Sequence, residues 1–462
     1  MIKITRRLFI RMASFLIALL AFPSIFIQKI NAGIHKEAGP SEISFKRNEV
    51  PLGVDSDGLS RIYLARNGTP EENMSKVIEM MGGIESIANK NDIIVLKPNA
   101  MWNNFRITNT NAMKAFIEMV LRIPDFKGEI IIAENHHFSI DNSRGWTTTE
   151  RNGGYNLNEL IDYFHEKGHK NVTKYHWHDA GPNPWPRDGS AENGKRVNNP
   201  EDGDGYVWRQ DIVYTSPKNR KCMMTYPIFT STYSRITIDL KNGAWKNGKY
   251  IDRPIKFINF SGINHHTSYG GVTASIKNLM GVTDMTCGYQ GIEPEGFYNM
   301  HWIGEESFIH LLTCRIRDLF NDVGLKQIGK FINRTFVPFG YFNFYRAGGA
   351  LGYWMRTIRF PDLNIITAEW IGYGGPYATQ KSGFPRTILA SRDPVSLDFY
   401  AAKNILLTLT REAVDGQSYV DLHNPDNTTG PFRKFLEACQ EQGIGNLDEG
   451  KTKIYSYEFG TA

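Results

Sequence analysis

Two stretches decide how this chain folds: Asp92-Ile93-Ile94-Val95-Leu96-Lys97-Pro98-Asn99, and after it Glu129-Ile130-Ile131-Ile132-Ala133-Glu134-Asn135. Each is a short, unbroken apolar run that stops abruptly at polar residues. Strands buried on both faces read this way, and they belong to parallel sheets covered by helices. Between the two runs, Thr110 can cap a helix from Asn111 to about Arg122, with Ala112, Phe116, Met119 and Val120 on one face. Strand, helix, strand in that order is the signature of an α/β protein.

The pattern continues downstream. A helix is expected from Leu157 to about Lys167 and a strand near Val172 to Tyr175. Residues 178–225, rich in Gly, Pro, Asn and Asp, read as a long irregular excursion of the kind that tends to carry function. Order is expected to return with strands at Ser234 to Leu240 and Ile255 to Phe260. Helical character follows over Gly271 to Met280, then an amphipathic helix from Glu305 to about Val323. Strands at Leu363–Ala368 and Arg386–Ala390 flank a Gly-rich loop, and Pro394 opens a helix to about Leu407, since Pro suits the first turn. The expected fold is α/β, a mixed and mostly parallel sheet or sheets flanked by helices, two-lobed, with an irregular insertion near 178–225. About 430 residues beyond the N-terminal segment exceed one ordinary core, so two parts are expected, 56–290 and 291–462.

The N-terminus carries Thr5-Arg6-Arg7-Leu8-Phe9-Ile10-Arg11 and then an apolar run from Met12 to about Ile27. A basic start followed by a short apolar stretch is a targeting segment, and the pair Arg6-Arg7 is what the bacterial twin-arginine translocase reads. The expectation is a signal over 1–32, a linker over 33–55, and a folded protein delivered to the periplasm, with the translocase as partner. An ordinary secretory signal that happens to hold two arginines is the blander alternative, as is a retained anchor. The apolar run of 16 residues, broken by Pro23, is short of the ~20 that span a membrane. Residues 1–32 hold five basic residues and no acidic one, so the remainder balances at 48 basic and 48 acidic. That balance removes the support for a nucleic-acid partner. Cys222, Cys287, Cys314 and Cys439 are scattered without a C-x-x-C pair, which excludes the usual iron–sulfur and structural zinc motifs. Buried free thiols are expected.

Polar residues gather just past the strands: Lys97 and Asn99, Glu134, His265 and His266, Glu369, and Asp393. In open α/β sheets, ligands bind at the carboxyl ends of strands, so one shared site is expected there. The densest segment is Ser261-Gly-Ile-Asn-His265-His266-Thr-Ser-Tyr-Gly270-Gly271-Val-Thr-Ala-Ser-Ile-Lys277-Asn278. Gly270 and Gly271 permit close approach, a helix starting there offers N–H groups to an anion, and Lys277 adds charge. His265 or His266 can act as acid and base or as a metal ligand, with Glu134 and Glu369 completing a divalent-metal set. The pair His136-His137 also follows Glu134. His176 and His178 read as polar loop residues. Gly374 and Gly375 follow Glu369 in a loop able to hug a ligand, and Asp393 equally suits a helix N-cap.

These residues resemble a known family. Val272-Thr273-Ala-Ser-Ile-Lys277-Asn278-Leu-Met-Gly281 is similar to the central motif of the DUF362 family, a domain of unknown function. Val95-Leu-Lys97-Pro-Asn99, Ala368 to Pro376 and Ala390 to Asp398 resemble further family segments in the same order, so the likeness spans roughly 90–405. The family often has Lys-x-His before the motif, where this chain has Ile263-Asn264-His265-His266. Many members add a ferredoxin-like cysteine cluster, which this chain lacks. The architecture also resembles, at the level of fold, the lactate racemase family, whose nickel-pincer cofactor is held by His and Lys. The function expected is a metal- or cofactor-dependent enzyme acting on a small anionic or carbonyl substrate. In it Lys97, Asn99, Lys277, Asn278 and the glycines hold the ligand, and His265 or His266 works beside Lys277. The alternatives are a non-catalytic periplasmic ligand- or cofactor-binding protein and an envelope assembly factor docking through 178–225.

Overall fold

The computed structural model describes residues 50–101, 105–135, 145–178, 194–216, 221–266, 270–285, 346–373, 381–412 and 422–460, with isolated positions between 300 and 328. The expected signal, His136, His137, Gly374, Gly375 and all but two positions of the helix expected over 305–323 lie outside them.

The buried apolar runs do form one large sheet. Its strands are β1 (Ser60–Arg66), β2 (Ile93–Lys97), β3 (Glu129–Asn135), β4 (Val172–Trp177), β11 (Ile255–Gly262), β14 (Leu363–Ala368), β17 (Thr387–Ser391) and β18 (Thr452–Glu458). They lie in the order β18-β1-β17-β14-β11-β2-β3-β4. The run from β14 to β4 is parallel, β17 is antiparallel to both its neighbours, and β1 pairs in parallel with β18. Strands from both sides of residue 290 therefore share this sheet.

Alternation along the strands makes two cores. Ile94, Leu96, Ile130, Ile132, Ile258 and Phe260 pack under helices α1 (Pro70–Met80), α2 (Thr110–Leu121) and α3 (Leu157–Glu166). Val95, Ile131, Phe257, Ile366 and Leu389 face the opposite layer. Each such side chain, once fully buried, contributes about 1.5–3 kcal/mol. Helix α2 begins one residue earlier than the sequence suggests. Asn109 is the cap, its side chain accepting from Ala112 N at 2.9 Å, while the Thr110 hydroxyl donates to Tyr155 O.

The opposite layer contains a six-stranded sheet: β5 (Arg196–Val197), β6 (Gly205–Thr215), β7 (Lys221–Thr230), β8 (Thr237–Asp239), β9 (Gly243–Lys246) and β10 (Lys249–Tyr250). Among the described residues of the excursion, regular structure thus begins at Arg196 and is extensive from Gly205, well before Ser234. Tyr206, Val207 and Trp208, then Ile212, Val213 and Tyr214, are buried strand formers. The surrounding Gly, Pro and Asn masked them in a composition window. Helices α4 (Ser275–Asn278), α5 (Arg346–Thr357), α6 (Pro394–Ala401), α7 (Leu407–Glu412) and α8 (Pro431–Gln440) complete the described helices, with a π turn at 402–406 joining α6 to α7. Two ribbons sit at the sheet's edge, β12 (Asn264–His265) with β13 (Val272–Thr273), and β15 (Ile371–Gly372) with β16 (Ser382–Gly383).

Cys222 and Cys439 are buried free thiols; Cys287 and Cys314 lie outside the described residues. Among the described residues no helix is long and apolar enough to cross a membrane.

Strand order places the crevice. From β2 the chain winds outward through β3 to β4, and later returns to the other side of β2 as β11 before continuing to β14. β2 and β11 are adjacent and parallel, with Lys97 opposite Asn259. The loops leaving their carboxyl ends depart in opposite directions, which opens the crevice where α/β sheets bind ligands.

Candidate functional site

The loops that leave β2, β11 and β14 are tied to one another. Thr108 Oγ1 donates to Phe260 O at 2.7 Å and accepts from Asn99 N at 2.7 Å. Asn264 Nδ2 donates to Arg106 O at 3.2 Å, and its Oδ1 accepts from Gly372 N at 2.8 Å. The Arg106 guanidinium lies so close to Gly372 that a Cβ there would stand 2.3 Å from Arg106 Nε. Any side chain at that position would have to displace the guanidinium. Arg106 is 1% exposed, and burial pushes it down to about 10.

His265, from the β11 side, stands beside His423, their ring centroids 4.9 Å apart and their planes at 72°. Burial, then His423 and Arg106, push His265 down to about 2; burial pushes His423 down to about 4. His423 comes from the C-terminal part of the chain. Gly271, at φ +74°, is what admits it, because a Cβ there would lie 2.1 Å from Leu422 O. The Gly270-Gly271 pair does serve close approach, as its sequence suggests, but what approaches Gly271 is the backbone of Leu422.

The helix that follows is likewise committed. The first N–H groups of α4, on Ser275 and Ile276, donate to the Asp398 carboxylate at 2.8 and 3.0 Å, and the Ser275 hydroxyl joins them. The Asp398 carboxyl group, pushed up to about 7 by burial, thus occupies the helix terminus expected to receive a ligand.

Lys97, Asn278 and Glu134 also bind one another. Lys97 Nζ, fully buried, donates to Glu134 Oε2 at 2.9 Å, Asn278 Oδ1 at 3.1 Å and Pro98 O at 2.6 Å. Glu134 further accepts from Ala100 N and Asn135 N. Asn278 Nδ2 donates to Lys97 O and Asn259 Oδ1, and Asn259 Nδ2 donates to Asn364 Oδ1. A polar spine therefore crosses four strands inside the core and anchors α4. Within it the three ammonium protons of Lys97 are used, so this lysine mounts the site. Asn99 is buried beside it, its Nδ2 without a partner among the described residues. Lys277, next to Asn278 and 8% exposed, is pushed down to about 7 by burial.

The expected carboxylates go elsewhere. Glu369 accepts from Asn73 of α1 at 3.0 Å, and burial pushes it up to about 7. Asp393 follows β17, whose antiparallel course carries it to the amino-terminal end of β14, away from the crevice. There it caps α6, accepting from Val395 N and Ser396 N. Among the described residues no three His, Cys, Asp or Glu are placed to hold a metal. His265, His266, Glu134 and Glu369 therefore do not form the ligand set expected of them: Glu134 is turned to Lys97 and Glu369 to Asn73. His266 N donates to Gly271 O at 2.8 Å, fixing the ribbon. His176 and His178 stand ring to ring at 4.5 Å on and just after β4. Arg106 and His423 were not singled out in the sequence. Only the strand-end rule could have flagged Arg106, and His423 carries no local motif.

An open cavity of about 550 Å³ lies at the same sheet edge under β1 and β17, lined by Leu64, Phe384, Tyr400 and Leu409 among others. Its lining holds no His or Lys, so the chemistry points to the β2–β11 crevice instead.

Two histidines held neutral make stability depend on pH. Their folded-state values are depressed below 6.5, so the stability they allow is present above that pH and is lost as pH falls from 6.5, down to about 4 for His423 and about 2 for His265. Glu369, raised to about 7, works in the opposite sense between 4.5 and 7. The expected result is that His423→Phe flattens the acid limb by up to about 1.4 kcal/mol per pH unit. Urea unfolding at stepped pH measures it; an unchanged limb would remove His423 from the buried neutral state.

No curated protein and no solved structure matches the chain. The match lies with a family: residues 232–403, which supply β11, His265, Gly271, Lys277 and Asn278 to this site, match the model described as Domain of unknown function (DUF362).

Proposed function

We propose that this chain is a metal- or cofactor-assisted enzyme acting on a small anionic or carbonyl-bearing substrate, exported in its folded state to the periplasm by the twin-arginine route. The observation that carries the enzymatic reading is the pairing of Arg106 from the β2 side with His265 from the β11 side, both buried at the strand-order reversal. A guanidinium there suits a carboxylate, which it can hold by two parallel bonds. Lys277, pushed down to about 7, supplies a neutral amine as pH rises past neutrality, and such an amine serves as general base or nucleophile.

The test is a screen of small 2-oxo and 2-hydroxy acids by proton NMR, with wild type beside Lys277→Met. Turnover that rises through about pH 7 and falls by at least ~100-fold in the variant is expected. Compounds that bind wild type without any conversion would replace the enzyme with a ligand-binding protein. Conversion that survives Lys277→Met would remove the amine from the mechanism.

A further inference from the structure

His423 is fully buried, yet neither ring nitrogen has a hydrogen-bond partner among the described residues. Leaving even one buried polar group unpaired costs about 1–3 kcal/mol, and native structures rarely leave such a group unexplained. Its ring faces His265 at 4.9 Å between centroids, with planes crossed at 72°. Two imidazoles on one ion, each bonded at ~2.0–2.1 Å, place their ring centroids about 5 Å apart at a tetrahedral angle. We propose that His265 and His423 together bind a divalent late transition ion, zinc, nickel or cobalt being the classes that favour imidazole.

This deepens the enzymatic reading by locating its metal, and replaces the four-residue set expected from sequence. The surroundings suit it. The Leu422 backbone is fixed against Gly271, and the buried Val272 pairs with His265 across the ribbon. Arg106 beside His265 disfavours a bare cation and so sets the sign of the remaining ligand. An anionic oxygen, such as a substrate carboxylate, would sit between the ion and the guanidinium.

The test needs no substrate. The full chain, stripped with a chelator, is dialysed against Co²⁺ or Zn²⁺ alone. Wild type is expected to take up one equivalent. His265→Ala and His423→Ala should each weaken uptake at least tenfold, while His266→Ala leaves it unchanged. Should either alanine variant fail to fold, the wild-type chain loaded with Cu²⁺ is examined by electron paramagnetic resonance, where nitrogen coupling from two imidazoles is expected. No uptake by wild type, uptake untouched by His423→Ala, or coupling from no imidazole would overturn the assignment. Oxalate should tighten metal uptake in wild type and not in Arg106→Gln; tightening that survives in the variant would overturn the placing of the anion. Stoichiometric metal with no turnover of any acid would leave this site standing and sink the enzymatic reading alone.

Discussion

Lys97→Met is expected to lower folding stability by about 3–5 kcal/mol, the cost of stranding one member of a buried ion pair. Glu134 would keep its hydrogen bonds from Ala100 N and Asn135 N but lose the ammonium that faces it, inside a core where both partners are fully buried. Asn278 would lose a donor as well, which loosens the seat of α4. The double variant Lys97→Met with Glu134→Gln removes the stranded charge and should recover much of the loss, since an apolar replacement of a buried pair can be close to neutral. Chemical unfolding of the three variants measures this. A single variant as stable as wild type would mean that Lys97 is not spent on the spine, and would return it to the ligand site.

Gly271→Ala is expected to be as damaging, and more local. Its φ of +74° disfavours any side chain, at about 1–3 kcal/mol. The added Cβ would collide with Leu422 O at 2.1 Å and with Phe432 Cβ at 2.8 Å, and overpacking of that kind costs a further ~1–3 kcal/mol. Because the collision is with the residue before His423, the variant should separate His423 from His265 even where the chain still folds. A loss of metal uptake alongside the loss of stability is the expected pair of results. Wild-type stability in Gly271→Ala would contradict the close packing of this segment.

The sheet was legible because β2 and β3 are buried on both faces and read as unbroken apolar runs, and β11 and β14 as mostly apolar ones. β17 was legible as a strand, but its direction was not: an antiparallel strand inserted in a parallel sheet has the same composition. That one reversal removes Asp393 from the site. β6 and β7 were obscured because strong strand formers sit among Gly, Asn and Pro. At the site, residue types identified the neighbourhood but not the employment of each group. Lys97, Asn278 and Glu134 are polar at strand ends, as a ligand site requires, and are used to hold one another. Gly271 promised a close approach whose partner, Leu422, lies far along the chain. His423 was invisible for the same reason, since only tertiary contact brings it to His265. It also lies beyond the family match at 232–403.

The claim that the β2–β11 crevice is the working site is tested most directly by thermal unfolding with small 2-oxo and 2-hydroxy carboxylates, comparing wild type with Arg106→Gln and Lys277→Met. At least one carboxylate should raise the melting temperature of wild type, and the increase should vanish in both variants. A carboxylate that stabilises all three chains equally would contradict the account, and would move the site to the cavity under β1 and β17.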